Sequence, residues 1–144
     1  MTRKFIISTA TAVALTVFAV PAMAGGITID QFGFGNSAGG EQTGFDNVIG
    51  VFQNGLHNNS VTHQFGNHNT AAIGQDGINN DADIWQNGHG NSGGVGQFGA
   101  NHTAVLTQDG NGNVAAGVQV GNGCNANVSQ SGGGNVAAFV QTCP

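Results

Sequence analysis

The sequence predicts an all-β chain: a parallel two-sheet β-solenoid of about five 22-residue coils, each built from two 11-residue strand-turn units. Three observations carry that expectation. Gln stands at Gln31, Gln42, Gln53, Gln64, Gln75, Gln86, Gln97, Gln108, Gln119, Gln130 and Gln141, always eleven residues apart, and nowhere else. Gly follows two residues after all but the last: Gly33, Gly44, Gly55, Gly66, Gly77, Gly88, Gly99, Gly110, Gly121 and Gly132. Between one Gln and the next, small or aliphatic side chains alternate with mixed and often polar ones. A period held this strictly marks a repeat architecture and is read before any local motif.

The first 24 residues stand outside the frame. A basic start, Arg3-Lys4, leads into an apolar run from Phe5 to Val20 and an Ala22-Met23-Ala24 site. These are the three parts of a signal peptide, with cleavage expected before Gly25. Residues 1–24 are thus expected to be the signal and residues 25–144 the repeat domain. Removing the signal takes the only Lys and Arg with it, leaving seven carboxylates in the rest of the chain. Phosphate binding draws its affinity from cationic side chains, so nucleic acid is not an expected partner. An anionic membrane surface is excluded on the same ground.

The repeats begin with an extra leading strand at Ile27–Gln31. From there each unit can be counted with its Gln as place zero. Place five is Asn36, Asn47, Asn58, Asn69, Asn80, Asn91, Asn113 and Asn135, with His102 and Cys124 as exceptions. Place seven is mostly Ala, place nine mostly Val, Ile or Leu, and place eleven is the next Gln. Alternation with period two describes a strand of about seven residues with one buried face. Places one to four, rich in Gly, Asn and Asp, suit a tight turn with positive-φ positions. Eleven residues are also three helical turns. A helix would, however, carry at least one interior Gly in each unit, at about 1 kcal/mol each.

One such strand cannot bury its own inner face, so two units make a coil and coils stack about 4.8 Å apart. Stacking divides the Gln residues into two columns, one holding Gln31 and every second Gln after it, the other Gln42 and its successors. An inward amide is costly without a partner. In a column each amide can donate to the next, as in cross-β ladders. The Gln and Asn places form the expected structural amide ladder, and the place-two residues the expected turn glycines.

Cys124 and Cys143 break the Asn and Gly places in the final coils. Cys143 stacks above Gly121, and Cys124 lies three residues beyond Gly121 across the same turn. Residues three apart across a turn have Cα atoms within roughly 7 Å. An oxidising compartment permits the bond, so an intramolecular Cys124–Cys143 disulfide is expected. The alternatives are a pair that stays reduced or a link between neighbouring chains.

The string Gln31, Gly33, Gly35, Asn36, Ala38 resembles the repeat of curlins, the subunits of bacterial curli fibres. It recurs at Gln108, Gly110, Gly112, Asn113, Ala115 and at Gln130, Gly132, Gly134, Asn135, Ala137. The resemblance covers Ile27 to Gln141. It implies a secreted, non-enzymatic subunit that polymerises into extracellular amyloid fibres of the biofilm matrix, serving adhesion and aggregation. It also implies a nucleating curlin and an outer-membrane export machinery as partners, with no cofactor. Both halves of each coil carry the signature here, whereas family repeats usually carry it once. Only Gly25-Gly26 stands where major subunits have a Gly-rich export segment. The absence of a basic final repeat resembles the major subunit more than the nucleating one.

Other chemistries find little support. His68 and His89 occupy neighbouring places at one edge, but two imidazoles are a thin ligand set for zinc. His102, in an Asn place, can use its ring nitrogens in the ladder. Units of equal length leave no inserted loop to build an active site or a small-molecule pocket. A monomeric binding solenoid, such as an ice-binding or adhesin module, is the rival reading. Ice binding would ask for one outward residue type in register, and places eight and ten vary from Asp to Trp. The outward aromatics Phe52, Phe65, Phe98 and Trp85 are expected to be spread over both faces and edges, either as isolated exposed apolar side chains or as aids to lateral bundling of fibres.

Overall fold

The computed structural model describes residues 25–144; the expected signal peptide lies outside the described residues. Eleven strands follow one another: β1 (Ile27–Phe34), β2 (Ser37–Thr43), β3 (Val48–Leu56), β4 (Asn59–Asn67), β5 (Thr70–Ile78) and β6 (Asp81–His89). They continue as β7 (Ser92–Ala100), β8 (Thr103–Asn111), β9 (Val114–Asn122), β10 (Asn125–Gly133) and β11 (Val136–Cys143). Odd strands form a six-stranded sheet, β1-β3-β5-β7-β9-β11, and even strands a five-stranded sheet, β2-β4-β6-β8-β10. Every pairing is parallel and joins residues one coil apart, as in Gln53↔Gln75 and Gln64↔Gln86. The two sheets face each other across a thin core, so the fold is an all-β solenoid of about five turns.

Register follows from the period of two. A slip by one residue would turn the inward Ala, Ile and Gln of a strand outward. Inward places seven and nine supply the core: Ile49, Val51, Ala71, Ile73, Ala82, Ile84, Val95, Ala104, Leu106 and Ala115. Bulk is traded between neighbours within it. Leu106 leans into the space that a methyl on Gly93 would take, and the Phe139 ring occupies the space above Gly117. Thr62 is the poorest fit: it is fully buried, and its hydroxyl has no hydrogen-bond partner. Val has the same shape without that orphan group. Thr62→Val is therefore expected to raise stability by about 1 kcal/mol, seen as a higher denaturant midpoint with an unchanged slope.

The strands are longer than the alternation alone suggests. Most span nine residues, from place six through the Gln to place three, and β1 runs on to Phe34 rather than ending at Gln31. Places one to three are therefore strand and not turn. Asn54, for example, lies on β3 and donates to Asp76 on β5 at 3.1 Å. The place-two Gly makes this possible: its φ of 98° to 137° bends the chain sharply while the ladder continues through it. The true corner is only places four and five. Place four is left-handed in all ten units, at Gly35, Asp46, His57, His68, Asn79, Gly90, Asn101, Gly112, Gly123 and Gly134. Gly, Asn, Asp and His are the types that enter that region most readily.

Candidate functional site: two amide columns and a disulfide-closed end

All eleven Gln residues point inward, and consecutive members of each column are hydrogen-bonded. Gln31 Nε2 donates to Gln53 Oε1, Gln53 to Gln75, Gln75 to Gln97, Gln97 to Gln119 and Gln119 to Gln141, at 2.6–2.9 Å. The second column runs from Gln42 through Gln64, Gln86 and Gln108 to Gln130 at 2.8–2.9 Å. The seven Gln residues from Gln53 to Gln119 are fully buried. Each amide has a second N–H, and periodicity did not indicate its partner. From Gln42 onward it crosses the core to the place-six carbonyl of the facing sheet, as in Gln75 to Asn59 O and Gln97 to Asp81 O, both 2.8 Å. One side chain therefore binds along its column and across to the opposite sheet. Both protons and the oxygen are satisfied in the interior, which is the condition for burying an amide without penalty.

The Asn residues act differently. They stand at the corner just before each strand, and most bond to backbone rather than to one another. The Asn58 Oδ1 accepts the Asn80 N–H at 3.1 Å, and its Nδ2 donates to Asn54 O and Gly77 O. Asn36, Asn47, Asn69, Asn91, Asn113 and Asn135 repeat most of this pattern. Only Asn80 to Asn58 and Asn135 to Asn113 add a direct side-chain rung. Each Asn caps a corner and carries it to the next coil. His102 takes the same part with a ring: its Nδ1 accepts the Cys124 N–H at 3.1 Å, and Nε2 lies 3.1 Å from Phe98 O. That pairing assigns the ring proton to Nε2, because Nδ1 must accept.

The turn glycines Gly33, Gly44, Gly55, Gly66, Gly77, Gly88, Gly99 and Gly110 stack backbone on backbone. A methyl on any of them would collide with the carbonyl oxygen of the place-two Gly in the next coil. On Gly121 it would meet the Cys143 carbonyl instead, and Gly132 ends its column.

Cys124 and Cys143 are joined within the chain, with a Cα separation of 5.6 Å. Their sequence separation of 19 is the separation of each Asn Nδ2 from the Gly carbonyl that it reaches in the next coil. The disulfide thus spans the gap that a hydrogen bond spans in the other coils, and it ties β11 to the corner below. Cys143→Ser is expected to cost about 3 kcal/mol in the chain-entropy account. Amide exchange should quicken over Val136–Cys143 while the middle coils stay protected. The double replacement Cys124→Asn with Cys143→Gly restores the frame and should recover part of the loss.

The outer faces carry the remaining groups. The aromatics are less scattered than expected. On the five-stranded sheet Phe65 lies 5.1 Å and His63 5.2 Å from Trp85, centroid to centroid, and on the other sheet Phe32 lies 5.8 Å from Phe52. In-register stacking is the reason, since outward places ten and one of adjacent coils are neighbours. His63 is 3.1 Å from Glu41, and His68 is 3.6 Å from Asp46. His57 packs edge-on against Phe34, and the His89 ring nitrogen lies 3.3 Å from Asn67. His68 and His89 thus take different partners, and among the described residues no three His, Cys, Asp or Glu gather into a metal-binding group. Asp83, set between Val61 and Val105, has its pKa raised by burial, with His63 lowering it and Asp81 raising it further.

Comparison with known proteins agrees with this geometry. The curlin-associated repeat matches residues 78–110, which hold Gln86, Gln97 and Gln108 with their glycines. No curated protein and no solved structure matches the chain. The matched residues share one frame and one register with the units on either side, so the chain carries the curlin-associated repeat at residues 78–110 within a two-sheet β-solenoid.

Proposed function

We propose that the chain is a secreted structural subunit that self-assembles head to tail into extracellular curli-like amyloid fibres. One observation carries this reading. The two amide columns and two sheets run the length of the domain and stop at open strand edges on β1, β2, β10 and β11. An unpaired edge is a template for another strand, and a contact between unlike ends does not close, so it propagates as a filament. The inward Ile27 and Ile29 of β1 remain 46% and 39% exposed, where inner coils bury the same places almost completely. Polymerisation covers them.

Processing before Gly25 delivers the repeat domain outside the cell, where the fibre serves adhesion and aggregation in a biofilm matrix. A nucleating curlin and an outer-membrane export machinery are the partners of such a subunit. The protein acts by assembly and not by catalysis. Pure protein from Gly25 to Pro144, incubated at high concentration, is expected to form fibres visible by electron microscopy and by amyloid-dye fluorescence. Monomer that persists for days would refute the proposal and favour a monomeric binding solenoid.

A further inference from the structure

We infer that successive copies in the filament are related by a half-turn about its axis, so that β1 of one copy adds to the five-stranded sheet of the next. The inference rests on the fibre-forming reading above. It follows from the parity of the strands. Each 11-residue unit is carried to the next by a half-turn and half a coil step, because strands alternate between the sheets. The described residues make eleven such steps, an odd number. The strand that continues the series after β11 therefore belongs on β10, not on β11.

The hydrogen bonds at the two ends agree. In both columns the Gln Nε2 donates to the Oε1 of the Gln 22 residues later. Gln42 opens its column, and its Oε1 is buried with no partner. At the other end, Gln141 Nε2 donates to Asn125 O, and Gln130 Nε2 to Val114 O. Each keeps one N–H with no column partner. With the half-turn, β2 of the incoming copy lies on β11, and its Gln42 Oε1 receives the Gln141 N–H. Its Gln31 Oε1 likewise receives the Gln130 N–H. Without the half-turn, β1 would lie on β11 and β2 would stand two strand spacings from β10. The five-stranded sheet would then lack a strand at every junction, and the buried Gln42 oxygen would stay unpaired, which is unfavourable.

Packing makes the same choice. Phe139 fits in this chain because its neighbour at the same place on β9 is Gly117. The half-turn sets Gly40 of the incoming copy at that place on the other side, where the unrotated stack would set Ile29. Ile27 and Ile29 then cover Ala126 and Val128, which are only slightly bulky. The rise per copy is eleven half-steps, about 26 Å, and equivalent faces recur about every 53 Å.

Cross-linking distinguishes the two stacks. The half-turn puts Asp30 of one copy beside Ser129 of its neighbour, and the unrotated stack puts it beside Val140. All three side chains point outward. In-register residues on parallel neighbours are about 4.8 Å apart, within disulfide range. Chains carrying Asp30→Cys are mixed with chains carrying Ser129→Cys or Val140→Cys, assembled and mildly oxidised. Covalent dimers are expected from the Ser129→Cys mixture and not from the Val140→Cys mixture. The reverse pattern would overturn the half-turn and leave head-to-tail assembly standing. Fibres with neither cross-link would overturn the end contact itself. Failure of the unsubstituted chain to form fibres would remove the fibre reading and this inference together.

Discussion

Gln75→Glu is expected to lose about 3–5 kcal/mol of stability, the range for an uncompensated buried charge, and to form no fibres at concentrations where the parent does. Gln75 is fully buried, and its Nε2 donates to both Asn59 O and Gln97 Oε1. A carboxylate oxygen in that place faces two acceptors and offers neither a proton. The charge has no cation to meet, because no Lys or Arg follows Lys4. Protonation would relieve only one of the two clashes. Gln97→Glu, at the next rung, should behave alike. Thr70→Asp is the control: it introduces the same charge on the outer face of β5, where Thr70 is exposed, and should be mild. Denaturant midpoints and lag times measure both. Equal midpoints for Gln75→Glu and Thr70→Asp would show that the columns do not hold the fold.

Gly77→Ala is expected to be nearly as damaging, at about 3 kcal/mol or more, because overpacking and a forbidden φ act together. Gly77 has φ 137°, and a methyl there meets the Gly99 carbonyl oxygen. Neither backbone can yield, since Gly77 is paired with Gly55 on one side and Gly99 on the other. Gly90→Asn tests whether positive φ alone is responsible. Gly90 has φ 65° and open space around it, and Asn79 and Asn101 hold the same place at 58° and 57°. Its cost should stay within about 0.5 kcal/mol, as for ordinary surface substitutions. Thermal melts of the two variants compare them directly. A Gly77→Ala melt indistinguishable from the parent would rule out the close backbone stacking at place two.

The period of eleven and the alternation within it were enough to specify two parallel sheets, their register, the inward Gln columns and the neighbourhood of Cys124 and Cys143. Those features are periodic, and a period read along the chain becomes a column once coils stack. What tertiary structure decided is what lies between columns. The second N–H of Gln75 reaches Asn59 only because the facing sheet is one side chain away, and no spacing within a unit states that distance. The Asn places bond to backbone because the corner at places four and five brings a carbonyl of the same unit and one of the next coil to each amide. The strand continues through places one to three because Gly at place two can bend without leaving the ladder, whereas composition alone resembles a turn. The buried, unpaired Gln42 oxygen exists only at an end, and a repeat pattern has no ends until it is folded.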